Sequence, residues 1–313
     1  MENANKATCP ICGTPSEPYS RKRGWRIHHC NSCDHYHVSP YPTPQDLARI
    51  YSAATGYGLG REHDLAKTDP KSAAKLDALL SPLVGTRRAI LDVGCGDGRL
   101  IYHMRKLGWT VAGTEIADAY LQVARSHSLD VRHANLDDAG FDGASFGAVT
   151  LGDVIEHSVH PGQLLKTIRG LLVNDGIIVI RTPNAGCGYS RFSGALARAV
   201  HTQWLASEAP IHLNDFTAKS LSRLVGQCGF RILSCQSNGR RHFTYAVGAS
   251  GYLDGAKARI KAATGHARTL RLLAAAAAIA PVALWTAIPF AGGQTRDWMR
   301  SEGDYLSLVA KAI

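Results

Sequence analysis

The sequence predicts an α/β fold: a doubly wound, mostly parallel seven-stranded sheet with a small metal-stabilised module at its N-terminus and a helical insertion before its last strand. Three observations carry this. Strand-length apolar runs alternate with helix-length segments from residue 89 onward. Four cysteines fall in two Cys-x-x-Cys pairs within the first 33 residues. A long stretch of different composition separates two closing strands expected at Phe230 to Cys235 and Asp304 to Ala310. The expected divisions are 1–42 for the N-terminal module and linker, 43–236 for the core, 237–303 for the insertion and 304–313 for the last strand.

Composition sets outer bounds. The chain has 313 residues, 45% hydrophobic and 19% charged, which excludes wholesale disorder, collagen and coiled-coil rods. Lys and Arg number 35 against 25 Asp and Glu, a formal charge of +10. Met1 to Lys6 is polar and leads into no apolar run before Cys9, so no signal peptide is expected. Reduced cysteines and a cytoplasmic chain follow as expectations.

Cys9-Pro-Ile-Cys12 and Cys30-Asn-Ser-Cys33 have the two-knuckle spacing of a zinc ribbon. Each pair bends back so that two thiolates reach one tetrahedral ion. A segment this short buries too little apolar surface to fold alone, which makes structural Zn2+ the expected source of its stability. Four Cys ligands argue for a closed site, because catalytic zinc needs an open position. His28, His29, His35 and His37 are expected at the surface or outside the ligand set. Cys95, Cys187, Cys228 and Cys235 have no repeated spacing and are expected as small buried residues.

Ser39 to Pro44 is a stiff linker, and Thr43-Pro44 marks the N-cap and first turn of a helix through Tyr51. Thr55 to Gly60 follows as loop. A second helix is expected from Pro70 to Leu80, with Leu76, Leu79, Leu80 and Leu83 on its buried side. Ala89 to Val93 is a buried strand, followed by Gly94-Cys95-Gly96-Asp97-Gly98 and a helix from Arg99 to Leu107. Further strands are expected at Thr110 to Thr114, Leu129 to Arg132, Phe146 to Leu151 and Gly176 to Arg181.

The glycine turn defines a ligand class. A dinucleotide turn has Gly-x-Gly-x-x-Gly and holds a pyrophosphate at the helix N-terminus. Here the spacing is Gly-x-Gly-x-Gly, and Asp92 lies two residues before the first glycine. A carboxylate there repels pyrophosphate but suits an ammonium or sulfonium group. Glu115 ends the next strand, placed to accept from ribose hydroxyls. A ribose with a cationic tail is S-adenosyl-L-methionine.

With these features in place, residues 89–183 resemble a class I S-adenosylmethionine-dependent methyltransferase, a Rossmann-like fold. Leu91-Asp92-Val93-Gly94-Cys95-Gly96-Asp97-Gly98 is similar to the family's first motif, and Gly113-Thr114-Glu115-Ile116 to its ribose-binding acid. His133-Ala134-Asn135-Leu136 occupies the adenine-contacting loop, with Asn135 where relatives carry an acid. Leu151-Gly152-Asp153-Val154-Ile155-Glu156-His157 resembles the fourth motif, and Leu171 to Gly176 the turn before the fifth strand. The resemblance implies cofactor contacts from Asp92, Gly94, Cys95, Gly96 and Gly98, from Glu115 and Ile116, from Asn135 and Leu136, and from Gly152 and Asp153.

The flanks resemble one broad subgroup, akin to ubiquinone-type O-methyltransferases and bacterial sugar and polysaccharide methyltransferases. They are the cysteine ribbon, Tyr41-Pro42-Thr43-Pro44, and Ile211-His212-Leu213-Asn214-Asp215-Phe216-Thr217 before a helix into Gly229-Phe230. Methyl transfer to a hydroxyl is helped by a positioned base, and His157 and His212 are the candidates. The alternative is that each anchors its loop by hydrogen bonds. The resemblance also implies a second divalent cation on Asp153, Glu156 and His157.

The insertion has a basic first half, with Lys257, Arg259, Lys261, Arg268 and Arg271, and no charge from Leu272 to Thr295. Five consecutive alanines with Pro281 and Pro289 make a poor membrane span. Peripheral contact with an anionic membrane is one expectation for Leu272 to Phe290, and a packed lid or dimer surface the other. The expected function is methyl transfer to a small or lipid-linked acceptor such as a sugar or polysaccharide precursor. The alternatives are an RNA methyltransferase, which dense Lys/Arg runs interleaved with aromatics would favour and this chain lacks, and a non-catalytic scaffold.

Overall fold

The computed structural model describes residues 7–53, 64–199, 201–204, 206–238 and 305–313. The loop expected at Thr55 to Gly60 and nearly all of the insertion, including Leu272 to Phe290, lie outside the described residues. Among the described residues, no helix is long and apolar enough to cross a membrane.

The N-terminal module is an antiparallel sheet of β1 (Ala7–Thr8), β2 (Pro15–Lys22), β3 (Trp25–Cys30) and β4 (His35–Val38). Arg23 and Gly24, both with positive φ, make the two-residue turn that lets Lys22 pair with Trp25. On β3 and β4 the faces alternate. Ile27, Tyr36 and Val38 pack with Trp204 and Ala197, while His28, His35 and His37 line the opposite face, the rings of His35 and His37 near parallel at 5.9 Å. These three histidines are buried outside the cysteine cluster, the second of the two expected placements. Phe216 and Tyr41 cover that face, their rings 4.9 Å from His35 and 6.4 Å from His37.

α1 (Pro44–Ala53) starts where expected: the Asp46 N–H donates to Thr43 Oγ1, and the Thr43 N–H donates to the Asp46 carboxylate. α2 (Lys71–Val84) runs one turn further than expected, past Pro82. Its buried face is Ala73, Leu76, Leu80 and Val84. Leu79 and Leu83, expected inside, are 39% and 38% exposed. At 3.6 residues per turn they sit about 105° and about 65° from the centre of the stripe set by 73, 76, 80 and 84, beyond its edge on the side of Leu76.

The core then alternates: β5 (Ala89–Val93), α3 (Arg99–Lys106), β6 (Thr110–Glu115), α4 (Asp118–Ser126), β7 (Val131–His133), β8 (Phe146–Gly152), α5 (Pro161–Leu171), β9 (Leu172–Pro183) and α6 (Gly188–Ala199). β10 (Asn214–Asp215), α7 (Ala218–Gln227), β11 (Phe230–Asn238) and β12 (Tyr305–Ala312) complete it. The seven-stranded sheet has the order β11-β12-β9-β8-β5-β6-β7. Strands β7 to β9 in that order are parallel, and β12 runs antiparallel between β9 and β11. This is the expected Rossmann-like, doubly wound sheet. The turn expected at Leu171 to Gly176 lies inside the span of β9 and interrupts its ladder: Leu172 pairs with Phe146, pairing resumes at Ile177 opposite Ala148, and Asp175 between them has φ +63.

Both sheet faces are covered, which is why the strands read as unbroken apolar runs. Ile90, Ala148 and Ile177 pack with α2 and α3. Their strand neighbours Leu91, Val149 and Ile178 face α5 and α7 on the other side.

Candidate functional site

β5 is where the strand order reverses, with β6 on one side and β8 on the other, so a crevice opens beyond its carboxyl end. The glycine turn fills that position. Gly94, Gly96 and Gly98 have φ of +66, +57 and +81, a region side chains rarely enter. A Cβ on Gly94 would meet Val154 at 2.7 Å, and one on Gly98 would meet Leu129 at 2.6 Å. A Cβ on Gly96 would meet nothing within 4 Å. Among the described residues that face is open to the approach of a ligand.

Two carboxylates flank it. Asp92 is buried and accepts from Thr150 Oγ1 at 2.7 Å. Burial pushes its carboxyl up to about 7, against the opposing pull of that hydrogen bond. Glu115 binds the turn itself: Oε2 accepts from the Gly96 N–H at 2.9 Å, and Oε1 from the Ile116 and Ala117 N–H groups at 2.7 and 2.8 Å. Sequence reasoning missed Thr150, whose only signal is a hydroxyl inside the apolar run Ala148 to Leu151. It also missed Asp97, buried under the Arg99 guanidinium at 2.6 Å and accepting the Arg99 N–H.

The remaining expected cofactor residues lie in the glycine turn or at the carboxyl ends of β6, β7 and β8. Cys95 is buried, its N–H donating to the Thr114 carbonyl. Ile116 is 58% exposed, an apolar surface beside Glu115. Asn135 is exposed and caps the short turn Leu136–Asp138, with Leu136 buried beneath. Gly152 ends β8, and Asp153 follows with φ +56, its N–H donating to the Arg181 carbonyl. An open glycine cradle, a buried acid and an acid with an apolar neighbour are a donor set that fits S-adenosylmethionine.

Beyond β8, the turn Ile155–His157 meets the loop before β10. His157 Nδ1 lies 2.9 Å from the Ile211 carbonyl, which can only accept, so Nδ1 carries the proton and Nε2 the lone pair. The His157 and His212 rings meet edge to face at 4.8 Å. Burial lowers the pKa of both, that of His212 to about 3, so both are neutral near pH 7. Glu156 is buried; Oε2 accepts from Thr182 Oγ1 at 2.9 Å, and Oε1 has no hydrogen-bond partner among the described residues. Desolvation raises it to about 8. One ligand atom each from Glu156, His157 and His212 lies within 4.8 Å of the others. Asp153, expected as the third member, is not in that group; its left-handed backbone at the end of β8 precedes the turn that carries Glu156 and His157. The sequence offered no means of bringing His212 to them.

The four cysteines converge. All four Sγ lie within 4.8 Å of one another, with Cys9 to Cys33 at 3.5 Å and Cys12 to Cys30 at 3.4 Å. Zn–S bonds of about 2.3 Å in a tetrahedron set S to S near 3.8 Å, so the set fits a zinc ion. Both knuckles close alike: the Gly13 N–H donates to the Cys9 carbonyl and the Asp34 N–H to the Cys30 carbonyl, with positive φ at Gly13 and Asp34.

Comparison with known proteins agrees with this geometry. The family model described as a methyltransferase domain matches residues 65–235. The ubiquinone biosynthesis O-methyltransferase of Dinoroseobacter shibae is 32% identical over 156 residues, 48% of this chain and 61% of that protein. The enzyme of the same name from Xanthomonas axonopodis pv. citri is 31% identical over 164 residues, 50% and 66% of the two chains. The chain thus spans less than two thirds of the length of these relatives. The Burkholderia thailandensis 1,6-didemethyltoxoflavin-N1-methyltransferase, solved with 1,6-didemethyltoxoflavin and S-adenosylhomocysteine, aligns over 95% of this chain and 99% of its own. With a TM-score of 0.50 at 14% identity, that likeness is one of fold.

Proposed function

The chain belongs to the methyltransferase-domain family, whose model covers more than half of it, and from that premise we propose that it moves a methyl group from S-adenosylmethionine to a hydroxyl oxygen of a small acceptor. The observation that carries this is the open Gly96 cradle between Asp92 and Glu115. The relatives' printed O-methyltransferase activity supports oxygen as the methylated atom.

Bound S-adenosylmethionine supplies an activated methyl on a sulfonium, so the protein's own work is to align, exclude water and take a proton. Asp92 would hold the cationic tail from a dry site, where its charge is little screened. Glu115 orders the glycine turn and would accept from the ribose hydroxyls, and Ile116 would offer apolar surface to the base. His157 Nε2 holds a lone pair for the acceptor hydroxyl's proton while Nδ1 stays on Ile211. His212 is the second neutral imidazole beside it.

Glu156, His157 and His212 are also a donor set for a divalent cation, and the partnerless Oε1 of Glu156 supports it. Such an ion lowers the pKa of a hydroxyl bound to it. Structural zinc belongs on Cys9, Cys12, Cys30 and Cys33. For the acceptor we favour a sugar hydroxyl on a small or lipid-linked precursor at the cytoplasmic face of a membrane. A cavity of about 240 Å³ lined by Asn184, Arg191, Lys219 and Leu306 has room for a small acceptor with both polar and apolar faces.

Calorimetric titration of S-adenosylmethionine and its demethylated product into zinc-loaded protein tests the first step. Micromolar binding is expected, and folded protein that binds neither rejects the proposal. Metal analysis should return close to one equivalent of zinc, lost in Cys33→Ser; wild-type protein purified without zinc removes the ribbon assignment.

A further inference from the structure

Residues 211–215 lie between the histidine pair and the four-cysteine module and are hydrogen-bonded to both. Toward the histidines, the Ile211 carbonyl accepts from His157 Nδ1 at 2.9 Å, the Leu213 N–H donates to the Glu156 carbonyl at 2.9 Å, and Asn214 Nδ2 donates to the Ser158 carbonyl at 2.7 Å. Toward the module, the Leu213 carbonyl accepts from the Val38 N–H at 2.9 Å. Asn214 and Asp215 then pair antiparallel with β4, Asn214 opposite His37. The segment is thus tied to both bodies, and His212 lies within it, next to Leu213, which bonds to each.

Asn214 is the joint. It is 1% exposed, and its amide is satisfied by three segments of the chain. Oδ1 accepts from Tyr41 Oη at 3.1 Å and from His35 Nε2 at 3.2 Å, both in the N-terminal module or its linker. Nδ2 faces a carbonyl, which fixes the orientation of the amide. His35 is two residues beyond Cys33, on the strand that leaves the second knuckle. The knuckle also meets the core at Asp34, whose carbonyl accepts from Thr217 Oγ1 at 2.9 Å and whose carboxylate accepts from the Arg191 guanidinium at 3.0 Å. The cofactor side shares none of these bonds: Asp92 and Glu115 are held by Thr150 and by the N–H groups of Gly96, Ile116 and Ala117.

We propose that the four-cysteine module is a working part of the acceptor site, with Asn214 the positioning residue through which metal-ordered β4 holds His157 and His212 together. The module then acts on the proton-accepting end of the site and leaves the cofactor end alone. What the two histidines do rests on the methyltransferase proposal; their placement by Asn214 does not. A ribbon that served only to bind a separate partner would leave the histidines indifferent to it.

The test uses the full zinc-loaded chain with 15N-labelled histidine, the ring signals of His157 and His212 being assigned from His157→Gln and His212→Gln. In wild type, His157 should show the Nδ1–H tautomer. Asn214→Ala, and separately removal of zinc, by a chelator and again in Cys33→Ser so that loss of a cation from Glu156, His157 and His212 is not the cause, should shift both histidines and mix the His157 tautomers. Affinity for S-adenosylmethionine should stay within about twofold, as for sites that share no partners. Tyr41→Phe, which removes one hydroxyl, should move the same signals less. His35→Gln, whose amide can still donate to Asn214, should restore them relative to His35→Leu. Unmoved His157 and His212 signals in Asn214→Ala and after chelation, with the fold intact by circular dichroism, overturn the proposal. If Asn214→Ala does not fold, Tyr41→Phe decides: unmoved signals there overturn it equally. Wild-type protein that binds no S-adenosylmethionine sinks the methyltransferase proposal while the histidine signals still answer this one.

Discussion

Glu115 shows how much one side chain carries. A carboxylate has roughly four acceptor positions, and three backbone N–H groups of the turn already engage it. Its sequence-derived role, accepting from the ribose, is therefore joined to a second one, holding Gly96 in place. Glu115→Ala should weaken S-adenosylmethionine binding by about 1–3 kcal/mol, read by calorimetry, with the glycine turn loosened as well. An unchanged affinity removes both roles. Asp92 gives a prediction with a sign. Burial holds its proton to about pH 7, whereas a cationic ligand favours the carboxylate, so binding must release that proton at lower pH. Affinity should rise from about pH 6 to 8 and level off above, and Asp92→Asn should flatten the dependence. An equally steep pH dependence in Asp92→Asn would assign it elsewhere. Both acids were legible because each ends, or nearly ends, an apolar strand beside a glycine turn. Thr150 was not, because a hydroxyl inside a strand gives no sign of the partner it will meet on the next one.

At the scale of elements, local pattern sufficed wherever one segment makes its own case and failed where two segments decide together. The strand, glycine turn and helix from Ala89 to Lys106 stand almost where the sequence put them. α2 does not present the predicted face, because its leucines at 76, 79, 80 and 83 admit two stripes and only packing on β5 and α3 selects between them. The energetic consequence is direct. Leu80→Ala should cost about 2–5 kcal/mol in chemical denaturation, and Leu79→Ala, at a site 39% exposed, a small fraction of that. Equal losses would restore the stripe expected from the sequence. β10 is the extreme case: two residues with no strand signature become the fifth strand of the N-terminal sheet because β4 offers an open edge. The residues just before β10 carry His212 to His157 through the Ile211 carbonyl, and Phe216 just after it packs on His35, so one long-range placement hid both.

Across the whole molecule, the buried titratable groups fall into two opposed sets. Desolvation raises Asp92 and Asp215 to about 7 and Glu156 to about 8. It lowers His35 and His212 to about 3 and His37 to about 4. For the acids, the native state keeps protons that the unfolded chain has released. Their contribution is complete below the ordinary carboxyl range and is lost as pH rises through 7 to 8. For the histidines the unfolded chain takes up protons that the native state refuses, so stability is lost as pH falls below about 6.5. Between about pH 5 and 6.5 the two slopes oppose each other. Below that interval the histidines act alone, and above it the carboxyls do. Without cofactor or divalent cation, the melting temperature should therefore be level over that interval, fall toward acid, and fall again between about pH 6.5 and 8. S-Adenosylmethionine at Asp92 and a divalent cation at Glu156 both favour the ionised carboxyl, so each should lift the neutral-to-alkaline limb while leaving the acid limb where it is. Melting curves across that range, with and without ligand, check the argument. A melting temperature that climbs steadily through pH 8 without ligand would mean that these carboxyls are already ionised in the native state, and that the dry pocket on which Asp92 and Glu156 depend is wet.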